Sequence, residues 1–174
     1  SAGYTPLAQY YSAVTDDLTT RDPRLDAASA RMIASGTAIR SINPAHFDQE
    51  LRRIHELSLV AFRDNFLYTP LPESSFLTQY RQIQERLIPD LVLLAERAGQ
   101  LVGYVFAVPD YAQELRREPI TTIIVKTLAV LPERANAGLG ALLLGNVHDA
   151  GRCLGFKRAI HALMHESNKS LNLS

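Results

Sequence analysis

Residues 126–144 read KTLAVLPERANAGLGALLL, and the reading of this stretch decides the rest of the chain. An apolar strand runs to Val130, breaks at Pro132, passes through Arg134-Ala135-Asn136-Ala137 and re-emerges as Gly138-Leu139-Gly140 at the head of a leucine-rich helix. Two glycines at a helix start need a reason. The first turn of a helix carries up to four unpaired N–H groups and a partial positive charge. Where a strand feeds that turn directly, main-chain amides can close on an anion, with glycine keeping side chains out of the way and Leu139 free to point into the core. A tight strand-to-helix turn that needs glycine only for steric reasons explains the pair equally well.

What the stretch lacks narrows the anion. A P-loop needs Gly-Lys-Ser/Thr, whereas Gly140 is followed by Ala-Leu-Leu, so nucleoside triphosphate hydrolysis is not indicated. A dinucleotide fingerprint needs a third glycine, and position 143 is Leu. A diphosphate held by backbone alone remains.

Working outward, LVLLAE (91–96), RAGQ and LVGYVFAV (101–108) read as a hairpin with a four-residue connection, and Gly103 marks a bulge or a close backbone approach. A polar connection (109–119) leads to a β-branched strand, TTIIVKTLAV (121–130). The helix from Gly138 ends at Gly155, and KRAIHALM (157–164) forms the last strand. Upstream, residues 1–36 read as a helical extension that starts at Asp22-Pro23 and stops at Gly36. TAIRSI (37–42) is a short strand. Phe47, Leu51, Ile54, Ser58 and Phe62 then mark a helix opened by Asn43-Pro44, and Phe76, Tyr80, Ile83 and Leu87 mark a second one ended by Pro89. The order implies an α/β (α+β) fold with a mixed sheet and one right-handed crossover, divided into an extension (1–36) and a main domain (37–174).

Composition bounds the rest. The chain has 174 residues, 47% of them hydrophobic, with 18 Lys plus Arg against 18 Asp plus Glu. That balance gives no whole-protein field for nucleic acid or an anionic membrane, though it says nothing of a local patch. A single cysteine, Cys153, excludes an internal disulfide and a multi-cysteine metal site, and reads as a small buried hydrophobe. No run approaches a membrane span and no signal-peptide pattern opens the chain, so a soluble cytoplasmic protein is expected. The Ser-Ala-Gly start reads as that of a processed or excised piece.

KTLAVLPERANAGLGALLL resembles motif A of the GNAT superfamily, the acyl-CoA-dependent N-acyltransferases. In that pattern a strand ending Leu-Ala-Val leads through proline to Gln/Arg-x-x-Gly-x-Gly/Ala and a helix. The hairpin with its Val-Gly step, the helices at 44–62 and 74–88, and Asn168 after the last strand are similar to the same superfamily, so the resemblance spans residues 37–174. It implies a mostly antiparallel, twisted sheet flanked by helices, with the strands ending at Val130 and Met164 (fourth and fifth of the domain) splayed apart. It also implies acetyl-CoA as co-substrate, without a metal. The diphosphate would rest on the amides of Ala135, Asn136, Ala137, Gly138, Leu139 and Gly140, with Arg134 in reach of a phosphate, and the pantetheine arm would lie beside Leu128, Ala129 and Val130; Asn168 is implied as a further cofactor-binding residue. The implied reaction is direct acetyl transfer to a primary amine of a small molecule or peptide, with the Val130 N–H facing the oxyanion.

The sequence departs from the pattern in three places. The Gln/Arg position falls on Ala135, with Arg134 one place early. Lys126 stands where several relatives carry a glutamate base. Relatives also continue beyond the asparagine into a helix and two strands, whereas this sequence stops at Ser174. The last strand would then show an open edge, to be covered by a second copy in a homodimer or by the N-terminal extension.

For a base, alternation puts His161, Leu163 and His165 on one strand face, and an imidazole pKa near 6.5 suits proton collection at neutral pH. His165 lies nearer the open end, with Glu166 beside it. The plainer reading makes both histidines hydrogen-bonded core or edge residues. About 13 Å apart by strand rise, they cannot share a metal. His148 and His55 read as partly buried helix residues, His46 as a solvated one and Asp110 as a turn residue. Two rival functions stay open: a non-catalytic acyl-CoA-binding or regulatory domain, favoured by Lys126, and an interaction module that uses only the fold, favoured by Ala135.

Overall fold

Ala98 and Gly99 both take positive φ, 49° and 79°, which is the two-residue turn that matches the twist of antiparallel strands. They join β3 (Val92–Arg97) to β4 (Gln100–Pro109). Because Arg97 and Gln100 already pair, the connection is two residues shorter than the sequence suggests. This hairpin lies inside a six-stranded sheet of order β1-β6-β5-β4-β3-β2, seen in a computed structural model that describes residues 10–65 and 68–165. The other strands are β1 (Tyr10–Thr15), β2 (Thr37–Ser41), β5 (Thr122–Val130) and β6 (Arg158–His165). All neighbours are antiparallel except β5 and β6, which are parallel.

Both faces of the sheet are covered. Helix α5 (Leu139–Cys153) packs Leu139, Leu142, Leu143 and Val147 onto Val105, Ile123 and Val125, and α1 (Arg24–Ala34) lies against α5 through Leu25. The contact is tight enough that a Cβ on Gly145 would stand 2.3 Å from Leu25 Cδ1. On the opposite face α2 (Phe47–Ala61) and α3 (Glu73–Arg81) bury Leu51, Ile54 and Phe76 against Tyr104 and Phe106. A short helix, α4 (Tyr111–Leu115), follows β4 and is capped by the Asp110 side chain, the turn role expected of it. The α3 periodicity suggests a helix to residue 88, but α3 ends at Arg81. A 3-10 turn at Gln84–Arg86 follows, and Pro89 holds Ile88 extended. Among the described residues no helix is long and apolar enough to cross a membrane.

Gly103 meets both of its expected roles. The register shifts beside it, leaving Val102 as the extra residue, and a Cβ there would lie 3.2 Å from the Ala129 carbonyl oxygen, Leu139 and Leu143.

The N-terminal segment differs from the helical expectation for residues 1–36. Its helix is Arg24–Ala34, capped by Asp22, whose Oδ1 accepts the Arg24 N–H at 2.9 Å, and followed by Gly36 at φ 74°. Ahead of it, YYSAVT is strand β1, as its Tyr, Val and Thr content favours. β1 lies antiparallel along the outer edge of β6, from Tyr10 opposite His165 to Thr15 opposite Ala159. The chain itself therefore covers the edge for which a homodimer was one candidate. Cys153 also differs: it ends α5 on the exposed side, off the buried stripe.

β6 is divided between two partners. It pairs with β5 only from Thr122–Arg158 to Val125–His161, then stays with β1 as far as His165. At the same level Lys126 has no partner on β4, because the register shifts between Phe106 and Ala107. The bulge reverses the facing of β5: Val125 packs on the α5 side, and Leu128 does so again three residues later. A fork results, with β5 on one prong and β6 on the other. Deleting residues 1–15 should leave β6 on one short ladder. We expect a melting temperature lower by several degrees and aggregation in light scattering; an unchanged melt with a monodisperse variant would contradict this.

Candidate active site

The prong formed by β5 carries free backbone groups. Leu131 donates its N–H to the Val102 carbonyl at 2.9 Å, so its peptide faces β4. Since successive residues of an antiparallel strand face opposite edges, Ala129 shares that direction and Leu128 and Val130 turn their N–H and C=O into the fork. Beyond Val125 no β6 residue is paired with them. An extended chain laid in the fork would meet the open edge of a strand.

At the end of this prong the backbone makes a 3-10 turn, Arg134–Asn136, and enters α5. Asn136 and Ala137 donate their N–H groups to the carbonyls of Glu133 and Arg134, at 3.0 and 3.1 Å. Of the run 135–140 expected to hold an anion, these two amides are thus engaged within the turn. Gly138 takes φ 87° as the helix cap, and no side chain caps the first turn. The amides of Leu139, Gly140 and Ala141 occupy the positions that have no intrahelical acceptor. Leu139 is fully buried and fixes the helix end to the core. Asn136 is buried too: its Nδ2 donates to the Leu131 carbonyl at 3.1 Å, while its Oδ1 has no partner among the described residues. Arg134 and Ala135 are exposed on the rim, and Arg97 donates to the Ala135 carbonyl at 3.2 Å. The turn therefore fits a diphosphate: a glycine cradle, a helix start without a side-chain cap and guanidinium groups nearby.

The histidines separate. His161, at the crotch of the fork, is 5% exposed, and its Nε2 lies 3.2 Å from Nε2 of His148 on α5, one ring donating and the other accepting. Burial and the His161 ring push His148 down to about 4, with Asp149 opposing weakly, and burial also lowers His161. The pair is neutral at pH 7. His165 ends β6 opposite Tyr10, but its side chain, like Glu166 and Asn168, lies outside the described residues. His55 is buried and donates to the Leu71 carbonyl at 2.7 Å, and His46 is exposed. Among the described residues no cluster of His, Cys, Asp and Glu is able to hold a metal ion.

Three features escaped the sequence reading. Tyr80 of α3 lies near Thr127 beside the fork, and burial raises its phenol pKa, with Thr127 opposing the shift. Tyr80 belongs to an apolar helical stripe, and nothing in that pattern marks its hydroxyl. The His148 partner of His161 comes from packing between distant elements. Arg31 of α1 reaches the Gly138 turn: a Cβ on Gly138 would stand 3.1 Å from Arg31 Nη2. Periodicity could place Arg31 only in the last turn of a helix.

The acetyltransferase (GNAT) family model matches residues 51–173. No curated protein matches the chain. Among solved structures, a GCN5-related N-acetyltransferase from Sphaerobacter thermophilus superposes with a TM-score of 0.68 at 17% identity, over 98% of this chain and 47% of that one. The chain thus spans about half the length of that protein. The yncA protein of Salmonella typhimurium, solved with acetyl-CoA, gives 0.59 at 21% identity over 80% and 76% of the two chains. A GNAT family acetyltransferase from Brucella melitensis in complex with acetyl-CoA gives 0.53 at 20% identity over 70% and 72%. At these identities the likeness is one of fold.

The buried histidine pair sets a pH dependence. Both folded-state pKa values lie below that of a free imidazole, so the unfolded chain takes up protons first as pH falls. Stability should be complete above about pH 7 and decline by roughly 1–2 kcal/mol by pH 5. Denaturant titrations should show that decline, and His148→Gln should flatten it; a variant with the wild-type slope would contradict the assignment.

Proposed function

The chain belongs to the GNAT acetyltransferase family, and on that premise we propose that it moves an acetyl group from acetyl-CoA to a primary amine of a small molecule or peptide. The observation that carries this reading is the fork: an open strand edge leading straight into a helix start that no side chain caps. Acetyl-CoA, when bound, supplies an activated thioester.

The chain's own groups would act as follows. Gly138, Leu139 and Gly140 present main-chain amides to the diphosphate, with Arg134, Ala135, Asn136 and Ala137 shaping the turn. Leu128, Ala129 and Val130 line up the pantetheine arm, which the fork-facing N–H and C=O of Leu128 and the C=O of Val130 hold as a further strand; Asn168 is a further proposed cofactor-binding residue. The Val130 N–H is the proposed donor to the oxyanion that forms when the amine attacks. His165, toward the open end of β6, is the proposed general base. His161, desolvated and hydrogen-bonded to His148, stays neutral and is the second candidate. Direct attack needs no covalent intermediate on the protein.

One observation favours a second reading, an acyl-CoA-binding domain without catalysis. Lys126, exposed at the bulge, stands where the resemblance would put a carboxylate base.

Saturating acetyl-CoA should raise the melting temperature, with about 2.7 kcal/mol of stabilisation at a hundred times Kd. Gly138→Val should abolish the shift, since a β-branched side chain resists the left-handed conformation and would press on Arg31. His165→Ala should keep the shift and slow thiol release with an amine panel by roughly 10²–10⁴-fold. No shift with wild-type protein would sink the acyl-CoA reading, and a shift without thiol release on any amine would favour the binding domain.

A further inference from the structure

Ion pairing on this molecule is uneven. Arg40 and Arg53 share Glu50 and Glu96, Arg81 holds Asp48, and Arg86 holds Glu114. Around the turn into α5 the pattern reverses. Among the described residues Arg31, Arg97 and Arg134 have no carboxylate within ion-pair distance; Arg31 and Arg134 are exposed and Arg97 is half-buried. Arg97 is at least hydrogen-bonded, to Thr37 Oγ1 at 3.0 Å and to the Ala135 carbonyl at 3.2 Å. Arg31 is not. Its Nη2 sits over Gly138, at the positive end of α5, so a free guanidinium faces a partial charge of its own sign. An anion between them would turn that repulsion into attraction.

The position answers a gap in the chain's own motif. Where the resemblance calls for Gln or Arg, residue 135 is Ala, and no side chain from that site can reach a phosphate. Arg31 approaches the same turn from the other side. α1 lies against α5 through Leu25 and Gly145, and a cavity of about 510 Å³ between the helices is bordered by Arg31, Gly138, Ala141 and His148.

We propose that Arg31 is a cofactor-binding residue: its guanidinium contacts the diphosphate of coenzyme A over Gly138, supplying from the N-terminal segment the side chain that position 135 lacks. This inference rests on the acetyl-CoA reading above. It makes α1 part of the binding site, so ligand binding and the docking of α1 on α5 stabilise each other. Arg31 also lies in the last turn of α1, where a cation suits that helix's own dipole. That role needs no ligand, and the test separates the two.

Isothermal titration with coenzyme A and with dephospho-coenzyme A compares the wild-type protein with Arg31→Gln and Arg31→Lys. A lost charge-assisted contact should weaken both ligands about tenfold or more in Arg31→Gln, with part of the affinity restored in Arg31→Lys. Equal affinities in wild type and Arg31→Gln would overturn the proposal. A loss confined to coenzyme A would also overturn it, by placing Arg31 on the 3′-phosphate. Failure of the wild type to bind either ligand would instead sink the acetyl-CoA reading, and this inference with it. Should Arg31→Gln not fold, phenylglyoxal modification of wild-type protein gives the same decision: coenzyme A should protect Arg31, and unchanged modification would refute the contact.

Discussion

The site depends on one strand having two partners of unequal reach. β6 stays on β1 over its whole length but leaves β5 after the Val125–His161 pair. Were β6 zipped to β5 throughout, Leu128 and Val130 would spend their peptide groups on the sheet and no slot would exist. The bulge at Lys126 works to the same end from the other side, by turning β5 out of step with β4 just where the fork opens. β1 makes this affordable in free energy, because a strand that abandons one neighbour would otherwise expose both edges.

The second constraint is the helix start. Leu139, fully buried, pins the first turn of α5 to the core, and Gly138 at φ 87° lets the chain reach that anchor from a strand in very few residues. Gly103 on β4 supports the anchor, because its missing Cβ leaves room for Leu139 and Leu143. The strand end, the turn and the helix dipole are thereby brought to one place. In the proposed reading, an arm along the strand and an anion at the helix are two parts of one geometry.

Much of this was legible in residues 91–164. The hairpin, the strand before Pro132 and the glycine-led helix follow from local chemistry: β-branched runs, turn residues and helix caps within a few positions of one another. Gly103 was readable for the same reason, since a glycine inside a β-branched run has few explanations. What depends on distant partners was not legible. YYSAVT is a strand because β6 lies beside it, and its short run carries no periodicity of its own. The His148–His161 pair joins a helix to a strand and removes His161 from solvent, which alternation along β6 does not reveal. Arg31 carries no signal of its own in the sequence, because its relation to Gly138 exists only once α1 lies on α5.

The central claim is that the free edge of β5 and the start of α5 form one continuous binding surface. Hydrogen exchange, read amide by amide with and without acetyl-CoA, tests it most directly. The account predicts slower exchange at Leu128 and Val130 together with Leu139, Gly140 and Ala141, while the β4-facing amides of Ala129 and Leu131 change little. Exchange that is unaltered at these five positions in the presence of saturating acetyl-CoA, or slowed only at a distant surface, would contradict it.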